Sequence, residues 1–91
     1  MIKKIKLTEH ASKNILEREI SIEVMYDTIN NPDSKLIQED NRFIYMKLYF
    51  DEVLIEDMLL RVVLEEEINE ITVVTIYKTS KIKKYIKGHK I

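Results

Sequence analysis

The chain has no cysteine, no tryptophan, one glycine and one proline in 91 residues. Without cysteine there is no disulfide framework, no thiol nucleophile and no thiolate metal site, which fits a reducing compartment. One glycine rules out a P-loop or a dinucleotide fingerprint, because both need several glycines to bring backbone amides against phosphates; no cofactor is expected. The two histidines, His10 and His89, stand far apart, and no spacing of His, Asp and Glu matches a known ligand set, so no metal is expected either. Nothing marks a nucleophile elbow. No apolar run approaches the ~20 residues of a membrane span, and residues 1–7 mix Ile with Lys where a signal peptide would carry a continuous apolar segment. The expected setting is the cytoplasm, with no membrane partner.

What is present is a globular composition, 45% apolar and 34% charged, in a length that suits one domain over residues 1–91. A net charge of −1 argues against a protein that coats nucleic acid by bulk electrostatics. The charges are nevertheless sorted. Glu52, Glu56, Asp57, Glu65, Glu66, Glu67 and Glu70 gather where loops are expected, while Lys78, Lys81, Lys83, Lys84, Lys87 and Lys90 fill the end of the chain. Such a distribution suits an ordinary solvated surface, or a basic strip for phosphates.

Periodicity divides the chain into helices first and strands after. Thr8 is placed to cap a helix running to about Arg18, with Ala11 and Ile15 as its buried stripe and His10, Asn14 and Arg18 as a row along the stripe's edge. Ser21 caps a second helix, in which Ile22, Met25, Tyr26 and Ile29 fall at i, i+3, i+4 and i+7 before the stop at Asn30, Asn31 and Pro32. From there the period is two. Residues 35–39 and 42–50 read as strands around a turn at Asp40 and Asn41, and residues 51–57 as a wide connection. Residues 58–66 and 71–80 read as a hairpin closed by Glu67, Ile68 and Asn69. Residues 81–91 read as a terminal helical turn, with Ile82, Tyr85 and Ile86 at near-helical spacing before Gly88, and residues 2–7 as an edge strand or an extended lead-in. The expected fold is α+β: two N-terminal helices on one face of a four-stranded antiparallel sheet, with a short C-terminal helical turn.

In the third strand-forming run Ile44, Met46, Leu48 and Phe50 alternate with Phe43, Tyr45, Lys47 and Tyr49. The helices are expected to cover the first set, leaving the aromatic and lysine face open to a ligand or partner. In the hairpin a three-residue loop sets Arg61 opposite Thr75, on the face that also carries Tyr77. An unpaired guanidinium in a central strand is costly, so Arg61 pairs with an acid or awaits an anion.

Several short motifs occur in order: Glu9-His10-Ala11, then Glu17-Arg18-Glu19-Ile20-Ser21, then Asn31-Pro32, then Val73-Val74-Thr75-Ile76-Tyr77, and Lys84-Tyr85. In this order and spacing the chain resembles a small prokaryotic family known only as a domain of unknown function. Such domains are similar in layout to the RelE-like and barnase-like metal-independent ribonuclease toxins. The resemblance implies an endoribonuclease-like protein, or an inactive relative, acting on RNA phosphodiesters. Cleavage through a 2′-oxygen nucleophile needs a base or acid near neutral pKa and cations that stabilise the phosphorane. His10 could supply the first, Arg18 and Arg61 the second, and Tyr77 or Tyr85 a proton or a stacking surface. Tyr45, Lys47, Thr75, Lys78, Lys81, Lys84 and Tyr85 are the candidate RNA contacts. Each has a plain structural alternative: a helix-start histidine bonded to its neighbour, an arginine paired with an adjacent acid, an aromatic stripe that packs a sheet. The competing reading is a non-enzymatic interaction module, paired with an antitoxin or with itself through an open sheet edge.

Overall fold

A computed structural model describes residues 3–86 of the chain; His89, Lys87 and Lys90 lie outside them. The elements in order are β1 (Lys4–Leu7), α1 (Glu9–Glu17), α2 (Ile22–Asn30), β2 (Ser34–Glu39), β3 (Arg42–Asp51), β4 (Glu56–Glu66), β5 (Glu70–Thr79) and α3 (Ile82–Tyr85). The architecture is α+β. None of the described helices is long and apolar enough to cross a membrane.

Both long helices start on hydroxyl caps. Thr8 Oγ1 accepts from Ala11 N at 3.1 Å, and Ser21 Oγ accepts from Val24 N at 3.2 Å. The Thr8 hydroxyl also donates to Val74 O at 2.8 Å, tying the start of α1 to β5. Between the helices Glu19 takes a left-handed conformation, φ 51°, and Ile20 N reaches back to Ile15 O at 3.0 Å. That is the bond of a Schellman stop, and the buried Ile15 and Ile20 supply its apolar contact. Glycine is the usual residue at this position because a Cβ costs roughly 1–2 kcal/mol in the left-handed region. Glu19→Gly is therefore expected to stabilise the fold by roughly 1 kcal/mol in urea unfolding.

The sheet has five strands in the order β1-β5-β4-β3-β2, which corrects the expected four. The fifth is β1, and it pairs parallel to β5, from Lys4 opposite Glu70 to Leu7 opposite Val73. The lead-in is a true edge strand because the chain crosses one sheet face through α1 and α2 before entering at the opposite edge with β2. The expected wide connection at residues 51–57 is also corrected. Asp51 pairs with Glu56, leaving a tight turn at residues 52–55, with Ile55 in the left-handed region at φ 55°.

The helices lie on the face opposite to the one expected. Ala11, Ile15, Ile20, Met25 and Ile29 pack on Tyr45, Leu60, Val62, Leu64, Val73 and Ile76, with Phe43 and Tyr49 at the margin. The other set, Ile44, Met46 and Leu48, faces away and is covered by Ile82, Tyr85 and Ile86 of the C-terminal turn, over Leu59. β3 is covered on both faces, so its alternation could not say which set met the helices. Tyrosine and lysine tolerate the helix side because their apolar bodies pack while their polar ends reach the rim. Tyr45 Oη donates to Glu66 at 3.2 Å, and Lys47 Nζ donates to Asn31 O at 2.8 Å, beside Asp27 and Asp33.

The hairpin register also differs. The pairing slips by one residue between Val63 and Leu64, opposite Val74, and Arg61 stands opposite Tyr77 instead of Thr75. The bulge turns Val73 to the same buried side as Ile76, so both valine and isoleucine enter the core while Thr75 and Tyr77 keep the face of Arg61.

Candidate phosphate site on the sheet face opposite the helices

Arg61 sits in the central strand β4, between Met46 of β3 and Tyr77 of β5. Its Nη1 donates to Tyr77 Oη. The guanidinium carbon lies 4.0 Å from the ring centroid of Tyr85 and 5.2 Å from that of Tyr77. The two rings meet nearly edge to face, with centroids 6.5 Å apart. Two aromatic faces therefore hold the cation by its π surfaces, a contact of about 1–2 kcal/mol where solvent is partly excluded. No carboxylate pairs with Arg61 among the described residues. Its Nε is buried with no hydrogen-bond acceptor. Burial pushes the Arg61 pKa down, and Tyr85 partly offsets this. Arginine nonetheless remains a cation at any physiological pH.

The surroundings are basic. Lys84 lies over Tyr85, its Nζ 5.3 Å from the ring, and both Lys81 and Lys84 are exposed. Thr75 is half-buried on the same face, opposite Val63. Arg61, Thr75, Tyr77, Lys84 and Tyr85 thus belong to one surface: a fork of donors, two phenols and a flanking ammonium. The Tyr77 oxygen accepts from Arg61, which leaves its own O–H available to a ligand.

The other candidates go elsewhere. α1 packs on β5 and β1 from the helix side, so His10 and Arg18 lie on the layer opposite Arg61. His10 is exposed, with Nε2 3.4 Å from Asn14 Nδ2; that same amide donates to Ile76 O at 3.2 Å. Arg18 is exposed at the end of α1 and makes no ion pair among the described residues. Tyr45, Lys47 and Lys78 are held inside the helix layer. Burial raises the Tyr45 pKa, and the Glu66 that accepts its hydroxyl is lowered chiefly by a hydrogen bond from Lys3. Lys78 Nζ lies 2.7 Å from Asp51 Oδ2 and 3.3 Å from Glu19 O, with Asp51 6% exposed.

That last contact is the polar centre sequence reasoning missed. Asp51 also accepts from Val53 N at 2.9 Å, Leu54 N at 3.0 Å and Tyr49 Oη at 3.3 Å. The Lys78 hydrogen bond and the turn amides hold the Asp51 carboxyl down at about 2, against the cost of burial. Burial, and then Asp51, raise the Tyr49 phenol well above its ordinary value. A signal was available: Lys78 shares the inward face of Ile76, and a charge in that position demands a partner.

A family model described as a domain of unknown function, DUF4258, matches residues 7–78. No curated protein and no solved structure matches the chain. Arg61 and Tyr77 fall within the matched span, and Tyr85 lies beyond it.

Proposed function

The chain belongs to the DUF4258 family, whose description names no activity, and from its own site we propose a toxin-type, metal-independent ribonuclease-like protein that engages RNA phosphodiesters at Arg61, Tyr77 and Tyr85. The observation that carries the reading is a half-buried guanidinium with no acid to neutralise it among the described residues, offered between two phenols beside exposed lysines. Such a group suits a phosphate, whose oxygens accept from the fork while a base stacks on the adjoining ring. In cleavage the 2′-hydroxyl passes its proton to water as its oxygen attacks phosphorus, and the bond to the 5′-oxygen breaks to leave a 2′,3′-cyclic phosphate. Arg61 stabilises the charge gathered on the phosphorane, and a tyrosine hydroxyl protonates the leaving oxygen and regains its proton from water. His10 and Arg18, on the other layer, have no part in this step.

RNA binding measured against salt tests the reading. Each neutralised phosphate of a single strand contributes about 0.7 to the slope of log K on log salt. Arg61→Ala or Lys84→Ala is expected to flatten the slope by about that amount, and His10→Ala to leave it unchanged. A flat line for the unaltered protein, with RNA left intact in chelator, would sink the proposal.

A second reading, a protein-interaction module, is favoured by β2. It forms the outer edge of the sheet, with Leu36 exposed and Ile37 79% exposed, an open template for strand addition by an antitoxin or a second copy. Sedimentation that shows only monomer at every concentration, together with failure to retain any host protein, counts against it.

A further inference from the structure

A groove of about 660 Å³ lies on the helix side, between the α1–α2 junction and the β3–β4 turn. Its apolar lining comes from Ile20, Val24, Tyr49, Phe50 and Val53. Phe50 and Val53 are mostly exposed, and the turn continues into Leu54 and Ile55, the latter 75% exposed. Five acids line the same groove, Glu19, Glu23, Asp27, Asp51 and Glu52, and no lysine or arginine does. Asp51 is neutralised by Lys78, and Asp27 lies 3.8 Å from Lys47. Glu19, Glu23 and Glu52 make no ion pair among the described residues.

The acids have a spacing. Glu23 and Asp27 are four apart on α2, and residues four apart on a helix are neighbours about 5–6 Å from one another, while Glu19 stands just before the helix at the junction. Lysines or arginines at the same interval on a second helix would match that row, with Glu52 meeting them from the opposite wall. We propose that this groove docks a basic amphipathic helical segment of a partner protein, its apolar face against Phe50, Val53 and Ile55 and its cations against Glu19, Glu23 and Glu52. The surface is distinct from the Arg61 face and acts independently of it. Charge decides the occupant: an acidic segment or a nucleic acid strand would meet carboxylates on both walls. The turn is preset for the role by the Asp51 hydrogen bonds to Val53 and Leu54, so little ordering is left for the moment of binding.

Two variants remove docking groups without endangering the fold. Glu19→Gly and Ile55→Asn each place a residue that accepts the left-handed region where the native side chain does not. The probe is a labelled helix-forming peptide of leucine and lysine, with lysine at four-residue intervals, followed by fluorescence anisotropy. The same peptide with glutamate for lysine is the control ligand, and Glu39→Gln, the same charge change on the far edge strand, is the control protein. Binding of the lysine peptide alone is expected, weakened at least ~10-fold by the Glu19→Gly, Ile55→Asn double variant and unaffected by Glu39→Gln or Arg61→Met. Amide shifts on titration should cluster at residues 19–27 and 49–55. Equal losses in the double variant and in Glu39→Gln would show general attraction and overturn the proposal. So would equal binding of the glutamate peptide, or shifts centred on the Arg61 face. A concentration-dependent dimer that Ile55→Asn abolishes would assign the groove to a second copy and also overturn it.

Discussion

Lys78→Met is expected to destabilise the fold by about 3–5 kcal/mol, because it leaves the Asp51 carboxylate buried without its counter-charge. Against the roughly 5–15 kcal/mol available to a small domain, this is a large share, and the melting temperature should fall by roughly 15 °C or more. The contact joins three parts: Lys78 on β5, Asp51 at the end of β3, and the Glu19 carbonyl at the helix junction. Asp51→Asn is milder at the turn, since an amide oxygen can still accept from Val53 and Leu54, but it strands the lysine. The double variant should recover part of the loss, and a double-mutant cycle by urea unfolding reads the coupling. The pH dependence has a definite sign. A carboxyl held at about 2 when folded, below its ordinary 3.8, binds its proton more readily in the unfolded chain. Its contribution is complete above about pH 4 and is lost as pH falls toward 2. Lys78→Met should shrink this part of the acid dependence to what the Val53 and Leu54 amides still supply, and an unchanged acid limb would count against the pairing.

Local chemistry was legible and layer assignment was not. Thr8 and Ser21 announced both helix starts, and Glu67-Ile68-Asn69 announced the hairpin loop, because caps and turns depend on residues a few positions apart. β3 misled because both its faces are apolar: one meets the helices, the other meets Ile82 and Tyr85. Alternation gives two sets of residues without saying which is covered. The bulge at Val74 could not be read from a run of β-branched residues that accepts either register. Arg61, Thr75 and Tyr77 nevertheless stay on one face, because the register moves by two residues in all from that of an ideal three-residue loop. His10 and Arg18 were placed at the core's edge by the helical wheel, and the wheel says nothing of which sheet face that edge adjoins. Tyr85 reaches Arg61 across 24 positions, a contact that no periodicity reports.

Arg61→Met is expected to separate function from stability. Methionine fills the site between Met46, Tyr77 and Tyr85 with a side chain that has no polar group to bury. The fold loses a cation–π contact of about 1–2 kcal/mol and the hydrogen bond to Tyr77, and is relieved of a partly desolvated cation whose Nε has no acceptor. These effects oppose one another, so the melting temperature should change little. On the proposed ribonuclease reading, RNA cleavage should fall about 100-fold or more, the usual consequence of removing one preorganised donor to a developing oxyanion. Arg61→Lys keeps the charge and loses both the planar fork and the stack on Tyr85, so it should restore salt-dependent binding more than cleavage. The opposite pattern, a marked loss of stability with unaltered RNA cleavage, would make Arg61 a piece of sheet packing. Natural chains keep a destabilising cation in a central strand where a ligand gives it a use, and the unaltered protein should therefore gain stability when an RNA oligonucleotide is added, while Arg61→Met should not.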